Sequence, residues 1–190
     1  KILSLALALA MCLGLMAVPA AAVNPGEEWV GDFVVKGETV VGYYGDDSVI
    51  TIPDGITKIG ESAFAKSTNL TSVTIPKGVT KIGEGAFREC TNLVSVTIPS
   101  SVTVIDTRAF YMCTNLTNVT IPDGVTNIFS YAFSYCTSLT SITIPEGVTS
   151  IGEYAFTGDT GLTSISIPNG VTSIGGYAFS RCTNLTGVIL

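Results

Sequence analysis

The chain has 190 residues, a formal net charge of −6 and a sequence pI near 4.5. This acidic balance disfavours binding to the phosphate backbone of nucleic acids, so we expect no nucleic-acid partner. The sequence contains no histidine, which removes the commonest general base and transition-metal ligand. These features favour a non-enzymatic protein, built as one domain or one short repeat array, that uses no metal or other cofactor.

Residues 1–22 have the pattern of a leader segment. Lys1 precedes an apolar run rich in leucine and alanine, and the run ends at Pro19 and three alanines. A basic start, an apolar centre and small residues before the cleavage point are typical of a secretory signal peptide. The run is short for a membrane span, so we predict cleavage after Ala22. The expected product is a secreted or cell-surface protein with no membrane span.

Residues 23–47 do not repeat and are predicted to form an N-terminal cap. Two β-rich runs flank Lys36-Gly37-Glu38, a pattern that predicts a β-hairpin. Such a hairpin would cover the open end of a repeat array, with Trp29, Phe33 and Tyr43 as the covering side chains. The alternative is that Trp29, Tyr43 and Tyr44 stack against a carbohydrate.

From residue 48 onward a 23-residue unit recurs to the end of the chain. A half-unit, residues 48–55, precedes copies at residues 56–78, 79–101, 102–124, 125–147, 148–170 and, truncated, 171–190. Self-similarity at one fixed period is the signature of a stacked solenoid. We therefore predict three segments: signal peptide 1–22, cap 23–47 and solenoid 48–190.

Each copy combines two periodicities, which the fourth copy illustrates. Ile142 and Ile144 flank Thr143, the alternation of a half-buried strand. Ile128, Ala132, Phe133 and Cys136 have the spacing of one face of a short helix. The predicted fold is an α/β repeat solenoid with a parallel sheet on one side and short helices or turns on the other.

Stacking places equivalent residues in columns that run along the solenoid. A phenylalanine column is predicted to form the aromatic centre of the core, and a leucine column its aliphatic centre. Their members are Phe64, Phe87, Phe110, Phe133, Phe156 and Phe179, and Leu70, Leu93, Leu116, Leu139, Leu162 and Leu185.

The motif LTSITIP, followed by a Gly-Val turn, IGEYAF and CTNL, resembles the BspA-type leucine-rich repeats of secreted and surface proteins. The resemblance extends over residues 48–190. It implies a curved leucine-rich-repeat solenoid and a family tendency toward adhesion to extracellular-matrix proteins or to other cells. Fold alone does not determine the ligand, and the family offers no shared binding residues to transfer.

Four cysteines share one repeat position: Cys90, Cys113, Cys136 and Cys182. We interpret them as a column of small buried side chains, because free cysteine packs as a compact apolar residue. Disulfides within the column and a metal site are the alternatives, and both suffer from side chains arranged in a row. Asp159 interrupts the column and is predicted to force a local loop over residues 157–161.

Two surfaces are candidate binding sites. The first is a set of large residues on the predicted helical side that the core pattern does not require; its members are Tyr111, Met112, Phe129, Tyr131, Tyr135, Tyr154 and Tyr177. These side chains could instead lie flat over neighbouring coils and cover that edge. The second is the hydroxyl array on the sheet, Thr74, Thr97, Thr120 and Thr143, which could equally be ordinary exposed-strand residues.

The sequence therefore predicts a non-enzymatic binding module for an extracellular protein or glycan, acting in adhesion or recognition at a cell surface. The alternative is a structural, self-assembling surface component whose coils associate end to end.

Overall fold

The computed structural model describes residues 23–189. The predicted signal peptide and its cleavage site lie outside the described residues. The described chain is built from 16 β-strands.

Three antiparallel strands begin the described chain: β1 (Glu27–Val30), β2 (Phe33–Lys36) and β3 (Thr39–Tyr43). The side chains of Phe33 and Tyr43 lie against the first ring of the phenylalanine column, with ring centroids 6.2 and 5.6 Å from that of Phe64. Trp29 packs instead on the edge of Tyr44, at 5.3 Å. Strand β3 then pairs in parallel with the first strand of the repeats, so the sheet continues from these strands into the solenoid.

Each repeat copy forms one coil that contributes two strands. We number the coils 1 to 6, from residues 56–78 to residues 171–189. Side A consists of β4 (Val49–Thr51), β6 (Ser72–Thr74), β8 (Ser95–Thr97), β10 (Asn118–Val119), β12 (Ser141–Thr143), β14 (Ser164–Ser166) and β16 (Gly187–Ile189). Side B consists of β5 (Lys58–Ile59), β7 (Lys81–Ile82), β9 (Val104–Ile105), β11 (Asn127–Ile128), β13 (Ser150–Ile151) and β15 (Ser173–Ile174).

The sequence period sets the pairing register. Ser72 pairs with Ser95 and Ile59 with Ile82, in parallel. Every repeat residue therefore lies beside its own equivalent in the next coil.

The core consists of the predicted columns. Successive rings from Phe64 to Phe179 stack with centroids 4.9 to 5.6 Å apart and interplanar angles of 1 to 11°. The leucines from Leu70 to Leu162 are fully buried, whereas Phe179 and Leu185 in coil 6 are partly buried. In coils 1 to 5, burial is complete because each large side chain packs between equivalent or capping side chains of the neighbouring coils.

The prediction of short helices is wrong, since residues 23–189 contain no helix. Ile128, which we placed on a helical face, belongs to strand β11. The segments that lead from each side B strand to the next side A strand consist of consecutive tight turns. Together they form a surface that we call the turn face, residues 61–69, 84–92, 107–115, 130–138, 153–161 and 176–184.

Backbone geometry explains the absence of a helix. Two residues of each turn-face segment have positive φ, for example Tyr131 at 59° and Tyr135 at 61°. A right-handed helix cannot continue through such residues. Midway between them, the phenylalanine amide bonds to the next coil, as when Phe110 N–H donates to the Ala132 carbonyl at 2.8 Å. The spacing of apolar residues, which matched a helix, arises here from turns that bury Ala132, Phe133 and Cys136 in the core.

The side A and side B sheets are both interrupted at one junction. Side B divides after β9 and side A divides after β10, so neither sheet continues from coil 3 into coil 4. The turn face does continue, through bonds such as Met112 N–H to the Ser134 carbonyl at 2.9 Å. We call this junction, between residues 102–124 and 125–147, the joint.

Candidate binding surface

Six of the seven candidate residues lie on the turn face of coils 3 to 6; the seventh, Phe129, follows strand β11 at its border. We call this set, Tyr111, Met112, Phe129, Tyr131, Tyr135, Tyr154 and Tyr177, the aromatic patch. The solenoid brings these residues together because their copies stack in register. Tyr177 is 65% exposed, Phe129 38% and Met112 36%.

Three tyrosines of the patch form a stacked column. The rings of Tyr131 and Tyr154 are 4.9 Å apart and nearly parallel, and those of Tyr154 and Tyr177 are 5.1 Å apart. Tyr154 has a pKa above the usual tyrosine value, through partial desolvation and the nearby Tyr131, Glu153 and Tyr177. Tyr154 therefore presents a neutral hydroxyl at physiological pH.

A second cluster joins this column across the joint. Tyr111 of coil 3 makes edge-on contacts with Tyr131 and Tyr135 of coil 4, at 6.3 and 6.0 Å. The guanidinium of Arg108 lies over the other side of the Tyr131 ring, 4.9 Å from its centroid. This is a cation–π geometry. Sequence reasoning did not select Arg108, although its position in the same repeat column as Tyr131 was a usable signal.

Gly158 provides the surface on which Tyr135 lies. A Cβ atom at Gly158 would come within 2.6 Å of Cδ1 of Tyr135, so no other residue type fits there without displacing the ring. The ring of Tyr135 thus lies against the backbone of coil 5 at Gly158. Gly158 also takes the positive-φ position, at 78°, where glycine carries little strain.

The hydroxyl array lies on side A, on a different surface from the patch. Thr74, Thr97, Thr120 and Thr143 are all exposed, and Thr74 pairs with Thr97. The joint separates Thr120 from Thr143, because β10 and β12 are not paired. The joint consequently leaves Thr74, Thr97 and Thr120 on one side and Thr143 on the other, so the array is not one regular lattice.

Along side B, coils 1 to 3 present charged side chains beside the strands. A shallow groove of about 380 Å³ runs along it, lined by Gly60, Gly83 and Glu84 among others. Lys81 Nζ lies 2.7 Å from Asp106 Oδ2. Burial opposes ionisation of Asp106, but Lys81 and the Thr107 amide outweigh it and lower the pKa of that carboxyl. Two lysines and three carboxylates line this groove, so it has one excess negative charge; they are Lys58, Lys81, Glu61, Glu84 and Asp106.

The cysteine column lies inside the solenoid. Cys90, Cys113 and Cys136 are fully buried, and all four thiols in the described residues are free. Each Sγ lies 2.9 to 3.3 Å from the carbonyl oxygen of a phenylalanine in an adjacent coil. Burial raises the pKa of Cys90 to about 12 and that of Cys182 to about 11. These thiols act as small packed donors and are poorly suited to be nucleophiles.

We expect the buried thiols to resist modification in the folded chain. With Cys12 replaced by serine, dithionitrobenzoate at pH 8 should leave Cys90, Cys113 and Cys136 unmodified and label Cys182 slowly, because only Cys182 is partly exposed. Mass spectrometry of the labelled peptides measures this order. Simultaneous rapid labelling of all four would contradict the buried column, and labelling in urea provides the control for complete reactivity.

The described residues contain no group of three or more histidine, cysteine, aspartate or glutamate side chains arranged to hold a metal ion. Over the same residues, no helix has the length and apolar character needed to cross a membrane.

The geometry defines a class of protein, a leucine-rich solenoid whose outer surface carries the variable residues. Residues 46–160 match, in 6 copies, the family described as BspA type leucine rich repeat region. The chain belongs to this family, as the sequence motif predicted.

Three solved structures have the same fold. A leucine rich cell surface protein from Faecalibacterium prausnitzii A2-165 is 37% identical, with a TM-score of 0.75, over 88% of this chain and 55% of that protein. The T. pallidum leucine rich repeat protein is 27% identical, with a TM-score of 0.78, over 92% and 82%. A leucine-rich repeat protein from Bacteroides ovatus ATCC 8483 is 27% identical, with a TM-score of 0.69, over 90% and 53%. This chain thus spans little more than half of the first and third relatives. Among curated proteins, no match was found.

Proposed function

We propose that the chain is a non-enzymatic binding module, secreted or displayed at a cell surface, that recognises an extracellular protein or glycan in adhesion or recognition. The observation that carries the proposal is the aromatic patch: tyrosines in contact across coils 3 to 6, at positions where other copies have small or charged residues. Membership of a surface-protein repeat family supports it, as does the similarity to a cell surface protein of F. prausnitzii.

A polypeptide partner suits this patch better than a sugar ring. Sugars commonly stack on the open face of an aromatic ring, but Tyr131 is covered by Arg108 on one face and Tyr154 on the other. Tyr154 is likewise enclosed by Tyr131 and Tyr177. These two tyrosines leave ring edges and hydroxyls for a partner, which provide apolar contact and hydrogen bonds together, as tyrosines do at protein interfaces.

We expect the double variant Tyr131→Ser and Tyr154→Ser to weaken binding by at least about tenfold, because tyrosines in contact clusters are frequent hot spots. Serine is suitable because Ser62 already occupies this repeat column with φ of 54°. Binding of the wild type to panels of matrix proteins, glycans and whole cells identifies the ligand, and surface plasmon resonance then compares the variants.

Thr97→Lys, on side A, is the matched control and should bind like the wild type. Unchanged binding by the tyrosine variant together with loss in Thr97→Lys would move the site to the hydroxyl array. A wild type that binds nothing on any panel would contradict the adhesion proposal. Circular dichroism of each variant verifies that the solenoid is intact.

The self-assembling alternative has its own test. Its contact would use exposed apolar side chains of coil 6, namely Ile174, Val188 and Ile189. Light scattering over a range of protein concentrations measures the association, and a mass that stays monomeric throughout would contradict it.

A further inference from the structure

We propose that the solenoid bends at the joint between coils 3 and 4, and that Phe129 is the residue that makes it bend. The inference does not depend on the ligand or on the proposed function. It rests on the hydrogen bonds between coils, the glycine column on side B and the contacts that remain at the joint.

The first step is the loss of bonds on both sheets. The amide that follows each side B strand usually donates to the preceding coil, as Gly83 does to the Ile59 carbonyl at 2.9 Å and Gly152 to the Ile128 carbonyl at 2.7 Å. Within residues 23–189, Phe129 makes no equivalent bond. On side A, Thr163 donates to the Thr140 carbonyl at 3.2 Å, whereas Thr140 itself has no such bond across the joint. Just before the side B strands, Thr149 donates to the Thr126 carbonyl at 2.9 Å, and within residues 23–189 Thr126 likewise has no such bond across the joint.

The second step is the cause. Coils approach so closely at this column that a Cβ on Gly152 would lie 2.6 Å from the Ser130 nitrogen, and one on Gly83 would lie 2.8 Å from the Ile59 carbonyl. The smaller side chain of Asp106 is tolerated in this column, because the Asp106 amide still donates a hydrogen bond to the Ile82 carbonyl at 3.0 Å. Phe129 carries the largest side chain in the column, and its junction is the one where pairing ends. Overpacking of a close contact separates the backbones.

The third step is what still holds the joint. The turn face keeps its bonds, including Arg108 N–H to the Ser130 carbonyl at 3.1 Å. The rings of Phe110 and Phe133 remain stacked at 5.4 Å, and Tyr111 packs against coil 4 on the outside. The joint is therefore firm along the turn face and weak along both sheets. Rotation about an axis on the turn face opens the sheets and changes the curvature of the solenoid.

Amide hydrogen exchange of the full chain, followed residue by residue by NMR, tests the proposal. Protection factors of Thr126 and Thr140 should be at least about tenfold lower than those of their equivalents Thr149 and Thr163, because unpaired ladder amides open at low free-energy cost. In Phe129→Gly, which restores the residue found in four other coils, the protection of Thr126 and Thr140 should rise to within about threefold of those equivalents.

Asp106→Gly is the matched control, since it removes a side chain from the same column one coil earlier and should leave Thr126 and Thr140 unchanged. Two outcomes overturn the proposal: equal protection of the four amides in the wild type, or persistent fast exchange at the joint in Phe129→Gly. A third, slower exchange in Asp106→Gly as well, would assign the weakness to the column generally and not to Phe129.

Discussion

Replacing Phe110 with alanine is expected to lower the free energy of unfolding by about 3–5 kcal/mol, the usual range for removing a buried aromatic side chain. Phe110 is fully buried and stacks on Phe87 at 5.3 Å and on Phe133 at 5.4 Å. The cavity that the substitution leaves cannot collapse easily, because the backbone hydrogen bonds of the turn face hold the neighbouring coils at a fixed spacing. Urea denaturation followed by circular dichroism measures the loss.

Phe179→Ala is the matched control for this prediction. Phe179 has the same repeat position but is only partly buried and stacks on a single ring, Phe156. Its replacement should cost clearly less than that of Phe110. Equal losses at the two positions would contradict the view that stability depends on packing from both neighbouring coils.

Replacing Asp159 with cysteine is expected to stabilise the chain by about 1–3 kcal/mol at neutral pH, the typical cost of a buried polar atom without a partner. Asp159 is fully buried, and the segment around it keeps the regular turn pattern, with Gly158 N–H bonded to the Ser180 carbonyl at 2.8 Å. The predicted local loop over residues 157–161 is therefore wrong: the glycine at 158 and a bond from the Cys136 amide to Asp159 Oδ1, at 2.8 Å, accommodate the carboxyl within the fold.

The other oxygen of Asp159 explains why the effect depends on pH. Oδ2 is buried without a hydrogen-bond partner, in the column where each thiol lies against a phenylalanine carbonyl. Desolvation raises the pKa of Asp159 well above its usual value, against the opposing effect of hydrogen bonds from the Cys136 and Tyr135 amides. Burial of Oδ2 without a partner disfavours the charged carboxylate, so the neutral acid is the favoured form.

The sign of the pH dependence follows from this raised pKa. Between the unfolded pKa, about 3.9, and the folded one, the folded chain binds more protons than the unfolded chain. The contribution of Asp159 to stability is therefore most favourable at acid pH and falls as pH rises toward its folded pKa. Denaturation midpoints of the wild type and Asp159→Cys, measured at a series of pH values, should diverge as pH increases.

Asp123→Asn provides the control, because Asp123 is exposed and its replacement should leave the pH profile unchanged. Cys136 and Cys182 are the titratable side chains whose pKa values the Asp159 charge raises. Burial keeps both thiols protonated throughout the pH series, so they do not contribute to the pH dependence. A constant difference between wild type and Asp159→Cys at all pH values would contradict a titrating Asp159.

The local pattern of the repeat was sufficient to predict the core but not the conformation between the strands. Phe133 and Leu139 recur at one period, and stacking identical side chains is the packing that such a period permits. The helix was mispredicted because apolar spacing does not report the sign of φ. Tyr131 and Tyr135 lie in the left-handed region, which their residue type does not favour, and they do so because neighbouring coils supply the hydrogen bonds.

The aromatic patch was selected from the sequence because its members depart from the repeat pattern, and the structure adds which of them touch. Tyr131, Tyr154 and Tyr177 are separated by one repeat period each, so the sequence alone predicts that they stack in one column. The contact of Tyr111 with both Tyr131 and Tyr135 depends on the offset between adjacent coils, and the position of Tyr135 depends on Gly158 one coil away. Such contacts involve residues of different repeat positions, which periodicity alone does not relate.

By itself the sequence determined the solenoid, its family and the columns of the core, because a 23-residue period with invariant phenylalanine and leucine positions has one efficient way to bury them. The tertiary structure decided where the solenoid is weak. The single exchange of glycine for Phe129 is a minor departure in the sequence. It becomes an interruption of two sheets only because the neighbouring coil passes within contact distance of that position.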